Sequence, residues 1–158
     1  MSECTGNCVA CNTLLDFGTR KTFNKYPPDF CYPTNAVLNL TNECTHRCKM
    51  CFVDFNPRRM SMEVAEAAIH FVINNAKEVE KYGDKKTPSI IFFGGEPLLE
   101  YDTLIVPLVE KYGRQVNWSI TTNGLLLNED KIDFFRKNEV NILMSFDGDK
   151  ITQNLQRP

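Results

Sequence analysis

Four apolar runs of strand length, each leading into a polar or glycine-rich loop, constrain this chain more than any other feature. They are Ala36–Leu40, Ser89–Phe93, Asn117–Thr122 and Val140–Phe146. Helical segments stand between them. The first runs from Ser61 to about Tyr82, with Ser61 as N-cap, Val64, Ala68, Phe71, Val72 and Val79 as the apolar face, and Gly83 as the stop. Asp102–Tyr112 reads as the next helix, with Pro107 either kinking it or lying in its first turn, and Asn128–Lys137 as the third. Apolar strands that alternate with helices predict an α/β fold, with parallel strands joined by right-handed crossovers and covered by helices. Ligands of such folds collect at the carboxyl ends of the strands. The loops there are the cysteine-bearing segment after Leu40, Gly94-Gly95-Glu96-Pro97, Thr121-Thr122-Asn123-Gly124 and Ser145-Phe146-Asp147-Gly148. They are expected on one rim, as parts of one site.

Cysteine usage says what that site holds. Seven cysteines fall as Cys4, Cys8 and Cys11, then Cys31, then Cys44, Cys48 and Cys51, and both triplets have the spacing C-x3-C-x2-C. The N-terminus has no basic start followed by an apolar stretch, and no apolar run is long enough to span a membrane, so a cytoplasmic protein is expected. A reducing compartment and an odd count argue against a disulfide framework and for metal. Three thiolates at Cys44, Cys48 and Cys51 would leave one iron of a [4Fe–4S] cluster open to an outside ligand. Zinc, with His46 or a distant cysteine as fourth ligand, is the other reading of the same spacing. The net charge of −2 gives no bulk electrostatic grip on nucleic acid or an anionic membrane, and neither partner is expected.

The order of the loops resembles the radical S-adenosylmethionine (radical SAM) enzymes. C-x3-C-x2-C directly after the first strand, followed by Phe52, is similar to that superfamily's signature, and Met50 stands where an aromatic is commoner. Gly94-Gly95-Glu96-Pro97 resembles the motif that holds the amino group of S-adenosylmethionine. The two later loops resemble the ends of the third and fourth strands. Singly, each is an ordinary turn sequence, since Gly-Gly, Asn-Gly and Asp-Gly are common turn dipeptides. Their order behind the cysteine loop carries the likeness.

The resemblance implies a partial parallel (β/α) barrel, with residues 36–158 forming its core domain. It also implies a [4Fe–4S] cluster on Cys44, Cys48 and Cys51, and S-adenosylmethionine bound by Gly94, Gly95, Glu96, Thr122, Asn123, Ser145 and Asp147. Glycines would let the backbone approach the ligand, Glu96 would accept from its ammonium, and Ser145, Thr122 or Asn123 would meet its ribose. Asp147 reads equally as a ligand contact or a cap for the following turn. Arg47 and Lys49 read either as moderators of the cluster's charge or as solvated loop residues. No residue is singled out as a catalytic acid, base or nucleophile. The implied activity is reductive cleavage of S-adenosylmethionine, giving a 5′-deoxyadenosyl radical that takes hydrogen from a peptide or protein. An electron donor such as flavodoxin or ferredoxin is implied with it.

The likeness is nearest to the sulfatase-maturating and ribosomal-peptide-maturing (SPASM-type) branch. A glycyl-radical-enzyme activase and a non-catalytic iron–sulfur or zinc module are the alternatives. Residues 1–35 read as an irregular arm, in which Cys4, Cys8, Cys11 and Cys31 would supply a second metal site, either an auxiliary iron–sulfur cluster or zinc. The resembled barrel has six βα units, so the chain is expected to be truncated after its fourth strand, with an open apolar edge there.

Overall fold

A computed structural model describes residues 32–158. The Cys4, Cys8, Cys11 and Cys31 site, and nearly all of the 1–35 arm, lie outside the described residues. The four predicted strands form one parallel sheet in sequence order, β1 (Asn35–Thr41), β2 (Ser89–Gly94), β3 (Asn117–Thr122) and β4 (Asn141–Met144). Between them lie α1 (Met62–Glu80), α2 (Val106–Tyr112) and α3 (Glu129–Lys137), and α4 (Lys150–Gln156) follows β4.

Alternation decides which strand face is buried. Leu38 and Leu40 of β1, Ile90 and Phe92 of β2, and Trp118 and Ile120 of β3 point to one side. There they join Ile69 and Val72 of α1, Leu108 and Val109 of α2, and Phe135 of α3 in a single core. Phe92 and Trp118, paired diagonally across β2 and β3, stack at 5.3 Å between centroids, and the Trp118 indole donates to Gly113 O at 2.8 Å. The opposite face, carrying Val37, Ile91, Phe93, Ser119 and Thr121, is exposed or half-buried. It forms the open inner side expected of a partial barrel.

Helix starts follow their local signals. The Ser61 hydroxyl accepts from Val64 N, and the Asn128 side chain accepts from Lys131 N. Three expectations need correction. The buried stripe of α1 is Ala65, Ile69, Val72, Ala76 and Val79, while Val64 and Phe71 are 56% and 55% exposed. Val72 and Val79 of the expected face lie in this stripe and Ala68 borders it, but the buried side is turned toward Ala65 and Ile69. The helix expected over Asp102–Tyr112 is a π turn (Tyr101–Ile105) running into the short α2, with a 3₁₀ turn (Pro97–Glu100) ahead of them. Pro107 has no N–H to give to the turn before it. The backbone widens ahead of it, with Val106 N–H reaching Tyr101 O, and Pro107 falls in the first turn of α2.

The third correction concerns β4, which is shorter than Val140–Phe146. Val140 turns into the core, and Ser145 leaves the ladder after donating its N–H to Thr122 O at 2.9 Å. All of β4 is exposed, Leu143 by 64%, and Phe146, Ile151 and Leu155 continue the apolar surface. Unpaired strand edges flanked by apolar side chains template association. The 158-residue polypeptide should therefore self-associate on sizing chromatography with light scattering, and a Leu143→Lys, Met144→Lys variant should do so less. A concentration-independent monomer for the parent would refute this.

Candidate active site

The loops at the carboxyl ends of all four strands surround one cavity of about 200 Å³. Cys44, Cys48 and Cys51 line it together with Gly94 and Gly95 after β2, Thr121 and Asn123 from β3 and its loop, and Ser145 after β4. Met50, Phe52, Val53, Phe93 and Arg157 complete the wall. Parallel strands dictate this convergence, because their carboxyl ends necessarily share a rim.

The cysteine loop is held at both ends. At its start, Gly95 N donates to Thr41 O at 2.7 Å and Glu96 N to Glu43 O at 2.8 Å. A Cβ on Gly94 would collide with Thr41 O, and one on Gly95 with Glu43 O. The two glycines thus admit the cysteine loop's own backbone, a closer partner than the ligand they were expected to admit. Further along, Arg47 N donates to Pro158 O at 3.2 Å and Lys49 N to Gln156 O at 2.9 Å, so residues 156–158 run alongside the loop. Arg59 bridges Glu43 and the buried Glu100 at 2.7 and 3.2 Å and secures the approach from a third side.

The expected ligand contacts divide into two groups. Gly94, Gly95, Asn123 and Ser145 face the cavity, whereas Glu96, Thr122 and Asp147 are absent from its wall. Glu96 is fully buried, and its carboxylate accepts from Leu98 N at 3.0 Å, Thr122 Oγ1 at 2.7 Å and Asn123 N at 2.9 Å. It binds the β2 loop to the β3 loop. Asn123 Oδ1 accepts from Leu125 N, and its Nδ2 donates to Thr45 Oγ1 at 2.9 Å while lying 3.7 Å from Cys44 Sγ. Asp147 caps nothing: Asp149 accepts from Thr152 N and starts α4.

Asp147 instead pairs with Arg157, through Nε at 2.5 Å and Nη2 at 3.1 Å. The hydrogen-bonded guanidinium holds the Asp147 carboxyl below its ordinary value. A lowered folded value means the pair's stabilisation is present at neutral pH and is lost as acid titrates through that value. Arg157 was not foreseen at the site. Its position depends on a contact across the fold that no local pattern encodes.

Arg47 and Lys49 do not reach the thiols. The Arg47 guanidinium donates to Cys44 O and His46 O, both at 2.8 Å, and lies 4.4 Å over the Phe55 ring. The Lys49 side chain is exposed.

The arrangement of the described donors suits a cluster. Among the described residues, no three His, Cys, Asp or Glu side chains converge on a point that would hold a single metal ion. A tetrahedral zinc on the cysteines and His46 needs such a point. A cubane cluster does not, because each thiolate binds a different iron. Three thiols spaced around a cavity, with soft sulfur donors and an open side toward Gly94, Gly95 and Ser145, fit the cluster.

The sequence profile of the Radical SAM superfamily matches residues 38–151, from β1 into α4. The chain belongs to this superfamily of enzymes. A radical SAM cyclopropyl synthase, TigE, of Paramaledivibacter caminithermalis is 30% identical over 125 residues, covering 70% of this chain and 26% of the relative. A serine-type anaerobic sulfatase-maturating enzyme of Bacteroides thetaiotaomicron is 34% identical over 125 residues, covering 73% of this chain and 28% of the relative. The solved structure of anSMEcpe with bound AdoMet and the Cp18Cys peptide superposes with a TM-score of 0.63 at 26% identity, over 78% of this chain and 34% of that one. The radical SAM α/β fold and the sulfatase-maturase likeness are thus established. The chain spans about a third or less of these proteins' lengths. Among the described residues, no helix is long and apolar enough to cross a membrane.

Proposed function

We propose that this chain is the cofactor-binding portion of a radical SAM enzyme that modifies a peptide or protein. Residues 36–158 would form its core domain. One observation carries the reading: three thiols at radical SAM spacing share a cavity with Gly94, Gly95, Asn123 and Ser145. In it, Cys44, Cys48 and Cys51 hold a [4Fe–4S] cluster, and the rim loops hold S-adenosylmethionine. When bound, these groups would supply one-electron reductive cleavage of S-adenosylmethionine and, through the resulting 5′-deoxyadenosyl radical, hydrogen-atom removal from the substrate.

This chain's residues bind and shield. Gly94 and Gly95 present backbone to the ligand's amino-acid end, and Ser145 offers a hydroxyl to its ribose. Glu96 and Thr122 act from behind the wall by fixing Asn123 in place. Phe52 and Phe93, stacked at 6.4 Å between centroids, form an apolar flank. A flavodoxin or ferredoxin is the proposed electron source in the cytoplasm. The likeness to sulfatase-maturating enzymes and to peptide-bound anSMEcpe supports a peptide substrate. Cys4, Cys8, Cys11 and Cys31 are proposed as a second metal site, iron–sulfur or zinc.

The test is anaerobic reconstitution with iron and sulfide, metal and sulfide analysis, and an assay for 5′-deoxyadenosine with dithionite as reductant. Cluster formation with turnover is expected, and metal beyond one cubane's worth would support the second site. A cluster without S-adenosylmethionine binding would favour the non-catalytic module. Cleavage coupled to a glycyl radical on a partner protein would favour the activase.

A further inference from the structure

The Cys44 and Cys48 sulfurs meet different donors. Cys44 Sγ accepts from His46 N at 3.4 Å and lies 3.7 Å from Asn123 Nδ2, both neutral donors. Cys48 Sγ lies 3.8 Å from Arg157 Nη1, a cation. That guanidinium is positioned from two directions. Asp147 takes its Nε and Nη2 edge in a fork, leaving Nη1 directed at the sulfur. The backbone on either side of Arg157 is tied to the cysteine loop by the Lys49–Gln156 and Arg47–Pro158 hydrogen bonds. Both partners of the ion pair are largely buried, at 17% and 20% side-chain exposure, so solvent screens the interaction only in part. Asp147 lies within the loop after β4 and Arg157 just beyond α4, which makes α4 the arm that delivers the charge.

We infer that Arg157, held by Asp147, is a positioning residue that donates a charge-assisted hydrogen bond to the Cys48 sulfur and raises the reduction potential of the cluster bound there. Adding an electron adds negative charge to the iron–sulfur core and its thiolates. A fixed cation and an N–H donor at one sulfur stabilise the reduced state more than the oxidised one. The inference rests on the cluster assignment to Cys44, Cys48 and Cys51.

The experiment is an EPR-monitored dithionite titration of the reconstituted chain, parent against Arg157→Gln and Arg157→Lys. Arg157→Gln should make one-electron reduction about tenfold less favourable, a fall of about 59 mV. Arg157→Lys should retain most of the parent potential, because it keeps the charge. An unchanged potential in a fully loaded Arg157→Gln protein would overturn the inference. A second measurement needs no change at Arg157. In protein labelled with ¹⁵N-arginine and carrying Arg47→Lys, pulsed EPR of the reduced cluster should show a weakly coupled arginine nitrogen, and its absence would also overturn the inference. Failure of the parent itself to form a cluster would instead remove the underlying assignment, so the two failures are distinct.

Discussion

Replacing Cys44, Cys48 or Cys51 singly by alanine is expected to abolish the visible absorption of the reconstituted cluster and reduce S-adenosylmethionine cleavage to background. A methyl group offers no lone pair to iron, so the loss should exceed the roughly 10–100-fold typical of removing an outer-shell partner. Fold damage would not explain such a loss. Cys51 is exposed, Cys44 and Cys48 are half-buried, and none belongs to the hydrophobic core. Far-UV circular dichroism and the urea midpoint of each apo variant should therefore stay near the parent's. His46→Ala separates the metals, because the cluster reading predicts full iron loading in it while a Cys–His zinc site would lose its fourth ligand. Iron bound at parental levels by the triple cysteine variant would end the assignment.

The sequence exposed those thiols because metal ligation leaves a local trace: ligands cluster within one loop, and the loop follows a strand. The Ser61 helix cap was legible for the same reason, since it acts on backbone three residues away. Strand positions were legible because apolar runs are bounded by glycine and polar turns. What escaped was set by tertiary partners. Choosing whether Val64 and Phe71 or Ala65 and Ile69 flank the buried Val72 and Val79 of α1 requires knowing which side the sheet meets. The π turn before Pro107 is the backbone's response to a proline whose turn was already committed. The α4 helix did leave a signal, the Asp149 cap, but five polar residues in its seven gave no apolar period. Arg157 left none.

Glu96 shows most sharply how a residue can be found for one reason and placed for another. Its motif marks it as a ligand contact, yet its two oxygens are engaged by three protein donors and its side chain is fully buried. If that clamp is its principal work, substitution should be felt by the apo protein before any ligand is added. Glu96→Ala would leave the Thr122 hydroxyl and the Leu98 and Asn123 N–H groups without their acceptor. Each unsatisfied buried group costs roughly 1–3 kcal/mol, so a total of about 3–5 kcal/mol is expected after partial relaxation. Glu96→Gln keeps the shape but supplies only one acceptor oxygen. With that oxygen kept toward Leu98 N and Thr122 Oγ1, its NH₂ faces Asn123 N–H donor to donor, and a loss of roughly 1–3 kcal/mol is expected. Urea unfolding of the metal-free proteins measures both. The Asn123 amide should also lose hydrogen-exchange protection in each variant, since its acceptor is the group removed. A Glu96→Gln protein with the parent's apo stability and unchanged Asn123 protection, weakened only in S-adenosylmethionine binding, would return Glu96 to the role its motif suggests.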